Sequence, residues 1–423
     1  MLGIARRWFG YKVVRIEANV GRLDAYLKTQ SPLANWGKVQ ALIKKRKIIV
    51  RTANQKKVTS NNYQLCAGDE IQIVDDVFQK YFEVAKFSLK KKEYHIIDDA
   101  DYVDEILDHI IVHKSEDFIV INKPPGMYSQ GTPVLKLNIS SILNSYYKHF
   151  NVDKYSFIVH RLDKSVSGLM LIATDRRSAI QFSDELKNRQ VDKIYHGLVL
   201  GIPKFVIEEQ KTQLEIEVRI GFNDSKQKAF IEEENDEAKD KETRKATCNV
   251  RVMKVYAVKS PTESTEFDLS QSSEFEKLLE QLDIDSENST RYYSLVEYDL
   301  ISGKKHQLRI VSQKVLETPI VGDHKYGYPM PKEEAPEHVV RKVLSDPEIK
   351  LSDLEKPNHF LKDQYRKGNF IYLQSVQLAF NWDNTYNDEE EDGGSIERYE
   401  FKAAYAPHMQ FMLDLLSPKS FPN

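Results

Sequence analysis

In the stretch "VHRLDKSVSGLML", residues 159–171, His160, Arg161 and Asp163 interrupt an otherwise apolar run. Val159, Leu169, Met170, Leu171 and Ile172 have the character of core, so packing does not explain the polar insert. An acid set between apolar segments is expensive to ionise unless a cation or a hydrogen bond holds it. Candidate cations are Arg161, Lys164 and the distant Arg309 in "ISGKKHQLRI", which also sets polar residues against an apolar run, Leu295 to Leu300. A third segment, "KNRQVDKIYHGLVLGIP", carries Arg189, Lys193 and Tyr195 ahead of another apolar run. One carboxylate, one arginine and one tyrosine from separate segments could form a cavity for a planar polar ring. Each alone says little, since a lone Asp near a turn is more often a cap than a catalyst.

The elements that must position these residues belong to a chain of 423 residues, long enough for two domains. Hydrophobic residues make up 41% of it, enough for real cores. Two distant cysteines, Cys66 and Cys248, give neither a disulfide framework nor a cysteine zinc site. No apolar run approaches the roughly 18 residues of a membrane span, and a soluble chain is expected. The net charge of −3 hides an asymmetry: residues 1–75 hold 14 Lys/Arg against 5 Asp/Glu. Such a basic segment on an otherwise acidic chain suggests a module that holds a polyanion.

Residues 15–75 read as a small unit. Leu23 and Leu27 in "GRLDAYLKTQ" share a helix face, and "WGKVQALIKKRK" repeats the pattern. There Val39, Leu42 and Ile43 point inward, and Lys38, Lys44, Lys45, Arg46 and Lys47 outward. "KIIVRT" is a strand, and "AGDEIQIV" a turn followed by alternating apolar residues. Folded structure is expected from near Arg15. The first sixteen residues contain four basic residues and no acid, resembling a short mitochondrial presequence. Residues 76–110 read as a connector, and a larger domain follows over 111–416.

In that domain "DFIVINKPPGMYS" is a strand stopped at Lys123-Pro124-Pro125-Gly126. Further strands are expected at 156–159, 169–173, 195–200, 214–220, 247–255, 293–300 and 372–380, with helices near 138–149 and 176–189. Strands outnumber helices without regular alternation, which favours an α+β domain with a mixed, largely antiparallel sheet. Acidic stretches near 232–242, 258–290 and 387–395 read as solvated insertions. The middle one holds a short amphipathic helix, "FEKLLEQL".

"HRLDKSVSGL" resembles the central motif of the RluA family of RNA pseudouridine synthases. The run Phe182, Arg189, Val191, Lys193, Tyr195, Val199, Gly201 is similar to its second motif, and "SGKKHQLRI" followed by "TPIVGDHKYG" to its third. "DFIVINKPPGM" and "FKAAYAPHMQFML" match the strand before these motifs and the closing segment after them. The pieces occur in the family's order across roughly 111–416. The unit at 15–75 resembles the S4 RNA-binding module through Arg22-Leu23-Asp24, the Val39-Leu42-Ile43 helix and Gly68-Asp69. It departs at Arg46-Lys47, where that module usually has a glycine.

The resemblance implies isomerisation of uridine to pseudouridine in RNA, ribosomal RNA foremost, by a monomer without metal, cofactor or membrane. It assigns Asp163 as the essential carboxylate, attacking C1′ or assisting a glycal intermediate. Arg309 is implied as its partner, and Tyr195 as the residue that stacks on the uracil and helps remove the C5 proton. Arg161 would fill the gap left by a flipped base. Leu169, Leu308 and Ile310 would line a dry pocket. RNA contacts are expected from Lys193, Lys304 and the basic run Lys38, Lys44, Lys45, Arg46 and Lys47. His160 and His306 are expected to be structural hydrogen-bonders.

Val166, Ser302, Lys304, Val311 and Gln374 depart from the family pattern and leave the Asp–Tyr–Arg trio intact. The alternatives are a catalytically silent RNA-binding or ribosome-assembly factor, or a synthase acting on tRNA or another RNA. The leader-like start favours mitochondria, with cytoplasm or nucleus as alternatives.

Overall fold

The computed structural model describes residues 6–8, 11–16, 21–30, 36–54, 56–60, 62–74, 100–131, 138–150, 152, 154–232, 242–260, 263–284, 290–329, 335–345, 370–383 and 396–418. The chain divides into two compact units, residues 1–103 with 130–146 and residues 104–129 with 147–423.

The first unit holds β1 (Arg6–Trp8), β2 (Tyr11–Arg15), β3 (Gly21–Arg22), helices Leu23–Gln30 and Trp36–Lys44, β4 (Ile48–Arg51), β5 (Lys57–Val58), β6 (Gln64–Leu65) and β7 (Glu70–Val74). One sheet runs β1-β2-β7-β4-β5, and β3 pairs with β6. The helix-face leucines close on the strands: Leu23, Leu27, Leu42, Ile43, Ile48, Val50, Ile71 and Ile73 form one core. Asp24 is buried and paired with Arg22 at 2.8 Å. Strands begin at Arg6, earlier than the sequence suggested, and β2 pairs along its whole length with β7. The side chains of Lys38 and Val39 lie outside the described residues.

Arg46 takes the place of the expected glycine in a complete helix-terminating turn. Lys47 N–H reaches Leu42 O and Arg46 N–H reaches Ile43 O, each at 2.9 Å, with Arg46 at φ +58°. This is the six-to-one and five-to-two bonding of a Schellman end, completed by a residue that must enter the left-handed region. Lys44, Lys45, Arg46 and Lys47 are all exposed.

In the second unit the strands are β8 (Ile111–Lys114), β9 (Phe118–Lys123), β10 (Ser167–Ala173), β11 (Asp192–Leu200), β12 (Gln213–Asn223), β13 (Lys228–Ile231), β14 (Thr243–Ser260), β15 (Glu263–Asp268), β16 (Arg291–Asp299), β17 (Leu373–Asp383) and β18 (Ile396–Lys402). They form one sheet in the order β13-β12-β14-β16-β11-β17-β10-β9-β8, with β15 on β14 and β18 on β17. The described pairings are antiparallel except β10 with β17. The architecture is α+β with a mixed, mostly antiparallel sheet. Leu169, Leu171 and Ala173 of β10 pack with Phe118, Phe182, Phe380 and Trp382 into a core that stiffens the strands beneath the polar insert.

Four details differ from the sequence reading. Residues 156–159 make a single bridge, Phe157 to Ala173, instead of a strand. The stretch from 258 is folded onto the sheet: β14 continues to Ser260, β15 pairs back on it, and helix Ser272–Ile284 follows with Leu278 buried. "HQLRI" opens a helix, Gln307–Lys314, and a further helix spans Pro336–Ser345. Of the expected connector, 76–99 lies outside the described residues and Ala100–Ile110 is helical. The acidic stretches at 233–241 and 387–395 also lie outside them.

Candidate active site

Asp163 sits in the turn that leads into β10, closed by Val166 N–H on Asp163 O at 3.1 Å. Ser129 Oγ donates to Leu162 O at 2.8 Å and accepts Leu162 N–H at 3.1 Å. Gly126 N–H binds Lys164 O at 2.7 Å. The fully buried Lys123 ammonium donates to Pro124 O and Met127 O, both at 2.9 Å, and lies 3.5 Å from Lys164 O. Burial pulls the Lys123 pKa down to about 7, against the pull of Asp163. On the other flank His160 Nε2 accepts Leu171 N–H at 2.8 Å. A ring nitrogen that accepts an amide proton carries none itself, so His160 is a neutral strut, and burial with nearby Lys193 holds its pKa at about 3.

Arg309 comes from the first turn of helix Gln307–Lys314. Its Nη1 donates to Asp163 Oδ2 at 2.9 Å, while Nε and Nη2 form a two-point contact with Asp323 at 2.7 and 2.8 Å. The side chains are 25% exposed for Asp163, 9% for Arg309 and 1% for Asp323. Asp163 is therefore the member of the trio that a ligand can reach. Burial alone would lower the Arg309 pKa, but Asp323 and Asp163 together raise it, and the guanidinium stays charged. Its Cζ stands 5.0 Å from the centre of the Tyr326 ring.

The start of this helix is held by Gln307. Its Oε1 accepts Lys304 N–H at 3.0 Å and Ser302 Oγ–H at 3.2 Å, and its Nε2 donates to Thr247 O at 3.1 Å. Ser302 Oγ in turn accepts Thr247 N–H at 2.8 Å. Ser302, one of the departures from the family pattern, thus has its hydroxyl in use. Gln374, another departure from the family pattern, bonds Ala404 O and Ala406 N–H, both at 2.7 Å.

Tyr195 lies on β11 at a register shift opposite β17, pairing with Ser375. Such irregularities re-aim side chains. Its ring is buried, its hydroxyl bonds Ser375, and burial raises its pKa well above the ordinary tyrosine value, with the Asp163 charge adding to the effect. At neutral pH it is a phenol. Gly168, φ +110°, brings β10 so close to β17 that a Cβ would stand 2.1 Å from Ser375 O.

The remaining expected residues divide. Arg161 is exposed. Lys304 is half-buried and meets Gln307 through its backbone. Lys193 is buried, with its pKa lowered by burial against the pull of Asp299 and Asp192. Leu169 belongs to the core around Phe118 and Phe182. Ile310 packs with Ile220, Ala229, Ala246 and Tyr326, and Leu308 is buried. Sequence reasoning gave no role to Asp323, Lys123, Lys305 or Tyr326. The acid in "VGDHKYG" was the one readable signal, since it repeats the pattern of an acid beside apolar residues. Among the described residues no three His, Cys, Asp or Glu side chains gather as a metal site, and no helix is long and apolar enough to cross a membrane.

Residues 117–314 match the family described as RNA pseudouridylate synthase. The chain is 29% identical over 311 residues to the ribosomal large subunit pseudouridine synthase C of Rickettsia felis, covering 72% of this chain and 81% of that one. It is 28% identical over 247 residues to the mitochondrial pseudouridylate synthase RPUSD4 of Bos taurus, covering 58% and 57%. Among solved structures it is similar to human RNA Pseudouridylate Synthase Domain Containing 4, with a TM-score of 0.46 and 19% identity, over 75% of this chain and 96% of that one.

Proposed function

We propose that this chain, whose residues 117–314 match the RNA pseudouridylate synthase family, acts as a member of it and isomerises uridine in ribosomal RNA with Asp163 as its essential carboxylate. The observation that carries the assignment is the Asp163–Arg309–Asp323 chain, in which the arginine is fixed by one buried acid and presents the other, part-exposed acid to the substrate. The reaction breaks N1–C1′, turns the uracil and forms C5–C1′. The C5 proton leaves, N1 gains one, and no electrons are exchanged with a cofactor. Asp163 either attacks C1′ or assists formation of a glycal.

Tyr195, held as a phenol, stacks on the uracil and relays a proton through its hydroxyl. The target base must leave its stack, at a cost of a few kcal/mol. Arg161, exposed beside the Asp163 turn, fills the vacated space, and Lys305 close to it adds positive charge. The exposed run from Lys44 to Lys47 on the S4-like unit holds RNA phosphates. Leu308 and Ile310 keep the base dry.

The name of the Rickettsia felis relative supports ribosomal RNA as substrate, and that of the bovine relative supports mitochondria. The proposal includes action as a monomer without metal, cofactor or membrane. It is tested by mapping pseudouridine in organelle-fractionated RNA with and without the gene, then reproducing the conversion with the purified chain. Loss of a mitochondrial ribosomal site is expected. An unchanged ribosomal map would sink the substrate assignment.

A further inference from the structure

His306, the residue before helix Gln307–Lys314, has a left-handed backbone, φ +58° and ψ +22°, and no side-chain cap bond. A non-glycine residue there is strained. The ring stands with Nε2 3.6 Å from Asp163 Oδ2 and Nδ1 2.7 Å from the Tyr326 hydroxyl. Phe222 and Tyr326 meet it edge-on at 80° and 89°.

The tautomer follows from the neighbours. Tyr326 Oη accepts Ala229 N–H at 2.7 Å, which leaves its own proton to donate to His306 Nδ1. The imidazole proton is then on Nε2, on the side of Asp163. The charged groups facing the ring are Asp163, Arg309, Lys325 and Lys305. Burial and the three cations outweigh the carboxylate and hold the ring neutral, with a pKa of about 4. Asp163 Oδ2 also receives Arg309 Nη1, whereas Oδ1 has no hydrogen-bond partner among the described residues.

We propose that His306 is a positioning residue: a neutral imidazole that donates from Nε2 to Asp163 Oδ2 when RNA is bound, and so leaves Oδ1 as the oxygen offered to the ribose. A contact of 3.6 Å is longer than a hydrogen bond, and contacts of this kind tighten in the substrate complex. The inference rests on the proposed role of Asp163.

The test uses the full chain with a substrate RNA. His306→Phe is expected to lower kcat by tenfold or more, on the scale of about one lost bond to a charged group. KM and RNA affinity should stay within about twofold. His306→Gln, whose amide nitrogen occupies a similar place, should recover most of the rate. Selective 15N labelling of histidine should show His306 as the Nε2–H tautomer at pH 7, and Tyr326→Phe should disturb it. An Nδ1–H tautomer or an imidazolium at pH 7 overturns the inference, as does a fully active His306→Phe enzyme. Equal losses in the Phe and Gln variants with a lowered Tm would mark a structural role and overturn it too. A wild-type chain without isomerase activity would overturn the proposed function itself, whereas an active wild type with an unaffected His306→Phe overturns this inference alone.

Discussion

Asp163 and Arg309 lie 146 positions apart in the chain and meet through one hydrogen bond of 2.9 Å, from Nη1 to Oδ2. The guanidinium owes its orientation to another partner, because Nε and Nη2 both belong to Asp323. Asp323→Asn should therefore slow conversion on the order of a hundredfold, the scale of a misplaced reacting group. Arg309→Lys keeps the charge but loses the planar fork and should fall at least as far. Single-turnover conversion beside RNA binding separates the two effects, and binding should change little.

Asp163→Asn removes the charge with little change of shape. Product formation should vanish while RNA affinity stays within about twofold of wild type. Pseudouridine formed by this variant at a measurable rate would contradict the assigned role.

Gly168→Ala tests the seam between β10 and β17. The added carbon would meet Ser375 backbone atoms at 2.1 to 2.8 Å, at a φ of +110°. Stability should drop by more than about 1 kcal/mol, read as a lower midpoint in chemical denaturation.

The basic turn of the S4-like unit can be separated into backbone and charge. Arg46→Gly relieves a left-handed arginine and should stabilise that unit by about 1 kcal/mol. Neutralising Lys44, Lys45 and Lys47 together should weaken RNA binding and flatten its dependence on salt. An unchanged salt slope would remove this turn from the RNA interface.

Three histidines held neutral by their surroundings set an acid limit on stability. His160 is held at about 3, and His306 and His408 at about 4, against roughly 6.5 in an unfolded chain. Below 6.5 the unfolded state binds more protons at these sites, so stability rises with pH there and is lost as pH falls from 6.5 towards 4. Each contributes up to about 1.4 kcal/mol per pH unit inside that window. Denaturation midpoints at pH 7, 6 and 5 should show the decline, and His408→Gln should make it shallower.

The Asp–Tyr–Arg trio and the order of its carriers were readable because each lies where polar residues break an apolar run. Strand 169–173 was legible from its uninterrupted apolar character, which burial on both faces requires, and 195–200 and 293–300 from apolar residues that outnumber the polar ones between them. The helix carrying Arg309 was not, because its opening residues Gln307 to Val311 are all buried, and a short helix buried all round reads like a strand. Asp323 escaped notice because its partner is reached only through the fold. Lys123 looked like a strand end before proline, and nothing in its neighbours announces three converging carbonyls. Lys193 looked like a phosphate ligand by type, yet its position on β11 buries it.

The fastenings of the Asp163 turn are nearly all made to main-chain atoms. Ser129 holds the amide and carbonyl of Leu162, Gly126 the carbonyl of Lys164, and Lys123 a ring of carbonyls. Main-chain atoms are the same whatever residue supplies them, so the turn is held without calling on the side chains of Leu162 and Lys164. Val166, which departs from the family pattern, is an instance: it is buried without a hydroxyl to offer, and the carboxylate keeps its bond to Arg309.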